Sequence, residues 1–462
     1  MRITSDGYVT AGVPDEHRNA LQWSLAMNRI QASYEIETPV GLAHAASVIA
    51  GEQSTGTFIK LEAETDELRE RSAAIVESIT LSGKSDSPSL PCRKVGETYE
   101  RGIINVSWPI RIIGYALPNL LSTIAGNLFE LAELSAIRLI DIDFPTEYVS
   151  QHPGPQFGAQ GTRQFMGERV FGEQSIGENK APLIGTIIKP SVGLGPSDTA
   201  ALVKTLIEAG IDFIKDDELQ ANGPACPFSE RLNAVMQVIN DHAQTSGKKV
   251  LYAVNITDEI DQMKRNLDSM QKVGANCAMV CMHSVGLTGL RAVRDQSTVP
   301  IHGHRAGWGL LSRSPNIGIS FNVMQKLWRL AGADHLHVNG LGNKFSESDD
   351  VVVQSAQSVQ QPLSSNPNLK HLAMPVFSSG QTIWQIAPSR RATGNDDFIF
   401  CAGGGIMGHP DGVAQGVIAL REAAEAAQQN VELGKFAESG SALKRAIATY
   451  PKPPTSIKSE YV

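Results

Sequence analysis

Cysteine is scarce in this chain: five in 462 residues, at Cys92, Cys226, Cys277, Cys281 and Cys401. That excludes a disulfide scaffold and makes a reducing cytoplasm the expected compartment. Cys277 and Cys281 stand four apart in an apolar run, but no second Cys/His pair at finger spacing accompanies them, so a structural zinc site is not expected. No apolar run approaches the ~18 residues that a membrane span needs. The opening MRITSDGYVTAG lacks a basic start followed by an apolar core, so no secretory leader is expected. An excess of positive charge is also missing. Lys+Arg 40 against Asp+Glu 48 leaves −8, which argues against nucleic acid or an anionic membrane as a partner. A local basic pocket for a phosphorylated small molecule stays open. Apolar residues are not lacking: 42% hydrophobic with 19% charged is the balance of a folded, soluble protein.

From residue 183 onward one pattern repeats: a short apolar run ends in polar residues and a helical stretch follows. Strands are predicted over 183–190, 212–218, 250–257, 277–286, 299–307, 334–341, 372–380 and 398–405. Helices are predicted over 197–210, 227–247, 258–275 and 316–332, with the last over 413–430. Within 258–275, Ile260, Met263, Leu267 and Met270 recur at helical spacing. Eight strand–helix units predict a closed parallel (β/α)8 TIM barrel, within a C-terminal catalytic domain over 151–462. The first 150 residues read as a smaller α+β domain of ferredoxin-like type. Its strands are expected over 31–37, 57–64, 103–108 and 137–144, and its helices over 41–54, 66–82 and 118–134. The Gly- and Gln-rich stretch 151–179 reads as a connection, and 450–462 as a loosely packed tail.

Polar residues at the C-terminal ends of barrel strands are the usual material of an active site. The first strand ends in Lys189, either a base whose proton affinity burial has lowered or a surface lysine. The second ends in Lys215-Asp216-Asp217-Glu218. Hard divalent cations such as Mg²⁺ take oxygen ligands of this kind, and a lysine among them either neutralises the acids or reacts with CO2 to become an anionic carbamate. Strand alternation puts Lys215 and Asp217 on one face. His302-Gly303-His304-Arg305 ends the fifth strand, and His335-Leu336-His337 lies on the sixth. These histidines read as zinc ligands or as packed barrel residues, and Arg305 with His337 as phosphate contacts. The loop from Asn339 to Lys344 carries two glycines, as a lid delivering the lysine would. Ser378-Ser379-Gly380 and Gly403-Gly404-Gly405 close strands seven and eight, where barrels commonly hold phosphate on backbone N–H groups.

In order along the chain, these motifs resemble the large subunit of ribulose bisphosphate carboxylase (RuBisCO). The most specific segments are 185–190, 212–218, 302–305, 334–337 with Lys344, and 400–410. In the smaller domain Glu52-Gln-Ser-Thr-Gly-Thr57 and Gly126-Asn127 look like family segments as well. The resemblance implies that Lys215, as a carbamate formed with CO2, binds Mg²⁺ with Asp217 and Glu218. It implies that Lys189 handles the proton at a substrate carbon, that His304 is an acid–base or hydroxyl contact, and that Lys344 is the lid lysine. Arg305, His337 and Ser379 match substrate-binding positions, the first two of them phosphate contacts. Gly380, Gly403 and Gly404 match the region that binds the other phosphate. Glu52, Thr57 and Asn127 would come from a partner subunit, because the family's smallest unit is a head-to-tail homodimer with shared active sites, from which higher oligomers are built.

The departures from the carboxylase pattern are informative. The second lysine of the strand-one motif is Ser191, and the threonine two before Lys189 is Ile187. A histidine is replaced by Trp308, a glycine of the strand-seven motif by Gln381, and a tryptophan by Phe58. Losing the cation at Ser191 removes positive charge where an oxyanion would develop. The resemblance is therefore to the non-carboxylating RuBisCO-like proteins, form IV. What survives is the enolising machinery, a divalent metal as Lewis acid and a lysine to move a proton. The expected activity is that of a Mg²⁺-dependent carbon–carbon lyase that decarboxylates a phosphorylated β-keto sugar acid, as in apiose breakdown. The alternatives are an enolase or isomerase acting on a methylthioribulose-type phosphate, and a divergent ribulose bisphosphate carboxylase.

Overall fold

The computed structural model describes residues 3–4, 28–56, 61–166, 181–438 and 441–453. They divide into two compact units. One comprises the chain up to His152 with Gly307–Leu327 and Pro362–Lys370; the other comprises Pro153–Ala306, Trp328–Gln361 and the chain from His371 onward.

The first unit is built on a six-stranded sheet in the order β1-β3-β4-β2-β5-β11. The strands are β1 (Ile3–Thr4), β2 (Arg29–Thr38), β3 (Ile75–Ser85), β4 (Tyr99–Pro109), β5 (Ala136–Asp143) and β11 (Ile317–Ile319). Its centre, β3-β4-β2-β5, is antiparallel throughout, with helices Leu42–Glu52 and Leu117–Ala125 inserted in β-α-β-β-α-β order. That is the ferredoxin-like arrangement expected. Period-two alternation puts Ile30, Ala32, Tyr34 and Ile36 of β2 in the core.

The second unit contains a closed eight-stranded barrel, in the order β10-β12-β13-β14-β6-β7-β8-β9. The strands are β6 (Leu183–Ile187), β7 (Phe213–Lys215), β8 (Leu251–Asn255), β9 (Cys277–Cys281), β10 (Ile301–His304), β12 (His335–His337), β13 (Met374–Phe377) and β14 (Ile399–Cys401). All neighbours pair in parallel, and each strand falls within one of the eight stretches predicted. Alternate positions fill the interior: Leu183, Phe213, Leu251, Ala253, Cys277, Met279, Met374, Val376, Ile399 and Cys401 form one buried cluster. Gly185 is one of the inward positions. A Cβ there would stand 2.8 Å from the Phe213 ring, so glycine leaves room for that side chain.

Several local expectations are corrected. The predicted helix over 66–82 stops at Ser72, and β3 starts at Ile75. The charged DELRERS segment is helical, whereas the β-branched run after it pairs along β4. Residues 61–64 form a turn, not the end of a strand; residues 57–60 lie outside the described residues. The strand over 277–286 ends at Cys281, where a helix starts at Met282. The helix expected over 316–332 spans Phe321–Ala331, and Ile317–Ile319 pairs with β5 instead. Val413–Gln428 is not the last helix; Leu433–Phe436 and Ser441–Thr449 follow it. All five cysteines are free.

Candidate active site

The C-terminal end of β7 is where alternation matters most. Phe213 points into the barrel, so Lys215 and Asp217 point the same way and Asp216 points outward. Asp216 is 1% exposed and is fully engaged on that outer side. It accepts from Arg231 Nε (3.2 Å), from the Tyr252 hydroxyl (2.6 Å) and from the backbone N–H of Asn255 (2.9 Å). This carboxylate therefore belongs to the packing between barrel and helices, not to the barrel mouth.

Lys215 is 1% exposed at the top of the barrel interior. Its Nζ donates to the Asp216 carbonyl oxygen at 2.8 Å and stands 3.5 Å from Glu218 Oε2. Lys189 reaches the same corner from the end of β6, with Nζ 2.6 Å from Asp217 Oδ2 and 2.7 Å from Ser191 Oγ. The side-chain amide of Asn255, at the end of β8, donates to the carbonyl oxygens of Asp217 (3.2 Å) and Glu218 (3.3 Å) and so fixes the turn that presents both acids. Burial acts to raise the proton affinity of Glu218, but the charges of Lys215 and Lys189 outweigh it and hold the carboxyl below its usual range. His304 adds its Nε2 at 3.5 Å from Glu218 Oε2. Its Nδ1 accepts from the Ala306 backbone N–H (3.2 Å), which leaves Nε2 to carry the proton. Burial first, and then the Lys215 charge, push this imidazole well below its ordinary range.

The other barrel histidines form a buried stack beneath it. His337 stands 4.5 Å from His304 between ring centroids, its Nε2 is 2.7 Å from His302 Nε2, and its Nδ1 is 3.0 Å from Ser378 Oγ. His335 is paired with Thr162 Oγ1 at 2.7 Å. Among the described residues, no group of three or more His, Cys, Asp and Glu is placed to hold a metal ion. The ring nitrogens of His302, His335 and His337 that face polar groups are thus engaged with one another, with Ser378 and with Thr162, as in packed barrel histidines.

Arg305, just beyond β10, is 8% exposed and makes a two-pronged ion pair with Glu347: Nη2 to Oε2 at 2.5 Å and Nη1 to Oε1 at 3.5 Å. Ser379 donates to Asn339 Oδ1 at 2.9 Å, and Asn339 Nδ2 donates to Glu347 at 2.7 Å. Ser379 and Gly380 both have positive φ, 72° and 78°, and a Cβ on Gly380 would stand 3.6 Å from Lys344 Cβ. Lys344 itself is exposed, with Nζ 5.4 Å from the centroid of the Phe345 ring. A Cβ on Gly403 would stand 3.6 Å from Ile187 and 3.8 Å from Lys189 Cε, so this glycine borders the lysine corner, and Gly404 faces open space. In the other unit Glu52 and Asn127 are exposed and joined by a 3.2 Å hydrogen bond. Thr57 and Phe58 lie outside the described residues. Trp308 is buried in that unit, edge-on to Phe321 at 5.8 Å.

Sequence reasoning missed two residues, Asn255 and Glu347. Asn255 was within reach, as a polar residue closing an apolar barrel strand. The separation of Asp217 from Asp216 follows the alternation expected from the sequence. Glu347 gave no local signal, because its partner lies 42 residues earlier in the chain.

The donor set at β7 suits a hard divalent cation. Asp217 and Glu218 each hold a lysine ammonium in place of one, and Lys215 is the group on which a third anionic ligand would be built. Comparison with known proteins identifies the family. The family model for the ribulose bisphosphate carboxylase large chain matches twice, its N-terminal domain over residues 22–148 and its catalytic domain over 171–450. A 3-oxo-isoapionate-4-phosphate transcarboxylase/hydrolase from Xanthobacter autotrophicus is 50% identical, covering 91% of this chain and 98% of that protein. A 3-oxo-isoapionate-4-phosphate decarboxylase from Rhizobium rhizogenes is 38% identical, covering 91% and 98%. The crystal structure of a RuBisCO-like protein from Burkholderia fungorum superposes with a TM-score of 0.84 at 38% identity, covering 92% of this chain and 100% of that one. The chain belongs to the ribulose bisphosphate carboxylase large-chain family, among its RuBisCO-like members.

Proposed function

We propose that this protein removes the carboxyl group of a phosphorylated β-keto sugar acid of the 3-oxo-isoapionate-4-phosphate type. The observation that carries this reading is the contact of Lys189 Nζ with Asp217 Oδ2 at 2.6 Å, beside Lys215 and Glu218 at 3.5 Å. It joins a proton-carrying amine to a cation-binding corner. Two relatives that act on this acid, at 50% and 38% identity, supply the substrate class.

Asp217, Glu218 and the carbamate of Lys215 would hold Mg²⁺, which polarises the substrate's keto group as a Lewis acid. Loss of the carboxyl group breaks one carbon–carbon bond and leaves its electron pair in an enediolate. Lys189 then donates a proton to the carbon that lost CO2. Ser191 orients that amine by accepting from it at 2.7 Å. His304, whose Nδ1 accepts from Ala306 so that Nε2 carries the proton, serves a substrate hydroxyl. Arg305, His337 and Ser379 line the opposite side of the mouth as substrate contacts. Gly380, Gly403 and Gly404 leave backbone exposed to the phosphate, and the exposed side chain of Lys344 reaches over it as the lid lysine. Ser191 and Ile187 replace a cation and a hydroxyl of the carboxylases, which supports carboxyl removal over CO2 fixation.

The relative at 50% identity, named as a transcarboxylase/hydrolase, favours a second reading, in which the carboxyl group is transferred instead of released and a hydrolysis follows. Both readings share the first cleavage and part on the fate of the enediolate. The exposed Glu52–Asn127 pair suits donation to the site of a second copy, as a homodimer with shared sites requires. The test is activation. Preincubation with Mg²⁺ and bicarbonate should raise turnover of the acid in the wild type and leave Lys215→Ala inactive. Full activity of Lys215→Ala, or none in the activated wild type, would overturn the reading.

A further inference from the structure

The arginine side of the barrel mouth is already neutralised from within the chain. Arg305 is 8% exposed and Glu347 13%, and the two meet through both nitrogens and both oxygens. A guanidinium facing a carboxylate in this forked geometry has its charge and its planar donors matched by that partner.

Glu347 is held there independently of Arg305. Asn339 Nδ2 donates to its Oε2 at 2.7 Å, and Asn339 is in turn fixed by Ser379 at 2.9 Å. The loop that carries Glu347 is cross-linked to itself. Asn343 Nδ2 donates to the carbonyl oxygens of Gly340 (2.9 Å) and Glu347 (3.2 Å), and Asp349 Oδ1 accepts from the Gly342 backbone at 2.7 Å. A phosphate arriving at Arg305 would meet a fixed carboxylate at the same nitrogens, and two anions that close repel. A neutral hydroxyl meets no such repulsion.

We propose that Glu347 determines the charge specificity of the site: by neutralising Arg305 it admits an uncharged, hydroxyl-bearing end of the substrate there and rejects a phosphate, so the substrate carries one phosphate and not two. The proposal rests on the reading of the barrel mouth as the substrate site. It places a selectivity residue in the loop after β12 and confines Arg305 to hydroxyl binding.

The test is equilibrium binding by calorimetry, read without turnover, with ribulose 5-phosphate and ribulose 1,5-bisphosphate as probes. The wild type should bind the monophosphate at least as tightly as the bisphosphate. Glu347→Gln should bind the bisphosphate at least tenfold more tightly than the wild type does, and adding Arg305→Gln should erase that gain. A wild-type preference for the bisphosphate of tenfold or more overturns the proposal, and does so whether or not the variant folds. So does a folded Glu347→Gln whose bisphosphate affinity is unchanged or weaker. Binding of neither sugar by any of the proteins would instead sink the reading of the mouth as the substrate site.

Discussion

Lys189 and Asp217 come from neighbouring barrel strand ends, β6 and β7, and meet with Nζ 2.6 Å from Oδ2. The amine proposed to move the substrate proton thus rests on a carboxylate proposed to bind the metal. The lysine is half-exposed, whereas the aspartate is buried. Proton transfer by a positioned side chain contributes typically ~10²–10⁴-fold to rate. Lys189→Ala should therefore lose about that factor in kcat while keeping its melting temperature within a few degrees. Steady-state CO2 release and thermal unfolding, measured on the same preparation, check both halves.

Adjacent aspartates should separate stability from activity. Asp216 accepts from Arg231, Tyr252 and Asn255 in a buried network, and removing one partner of a buried pair destabilises by about 3–5 kcal/mol. Asp216→Asn should unfold at markedly lower denaturant than the wild type. Asp217→Asn should keep its unfolding midpoint close to wild type and lose turnover. Equal loss of stability in both variants would contradict the division of roles between the two faces of β7.

That division is also where the sequence was most and least informative. Parallel strands buried on both faces read as apolar runs, which is why all eight barrel strands were legible. The period of two in Lys215–Asp217 contains the whole distinction between Asp216 and Asp217. By contrast, the helix expected over 66–82 failed at Ser72, because helical spacing in DELRERS extends on paper into a β-branched run whose strand character shows only in its pairing with β4 and β1. Glu347 was illegible for a similar reason: its meaning depends on Arg305, brought to it by barrel closure.

Acid should weaken the fold through its buried histidines. Burial pushes His335 down to about 3, while the unfolded imidazole titrates near ~6.5. Between these values the unfolded chain binds the extra proton, so stability is full above the unfolded value and falls as pH drops below it. At about 1.4 kcal/mol per unit, His335 alone accounts for a loss of roughly 2 kcal/mol between pH 6.5 and 5. His335→Gln should flatten the stability–pH curve by about that amount. Parallel curves for the two proteins would count against a neutral, buried His335.

Asn255 should act through the acids it positions. Asn255→Ala frees the carbonyl oxygens of Asp217 and Glu218, 3.2 and 3.3 Å from its amide. The expected result is a higher Mg²⁺ concentration for half-maximal activation, by about tenfold on the scale seen when groups supporting metal ligands are removed. An unchanged Mg²⁺ dependence would assign Asn255 to the fold alone.

The most direct measurement follows the carboxyl carbon. Substrate of the 3-oxo-isoapionate-4-phosphate type, labelled with ¹⁴C in its carboxyl group, is incubated with the Mg²⁺- and bicarbonate-activated protein. The label should leave its original position, as CO2 or in a new carboxylate, and Lys215→Ala should leave it in place. Label retained by the wild type in an isomerised or unreacted acid would contradict carboxyl removal at this site.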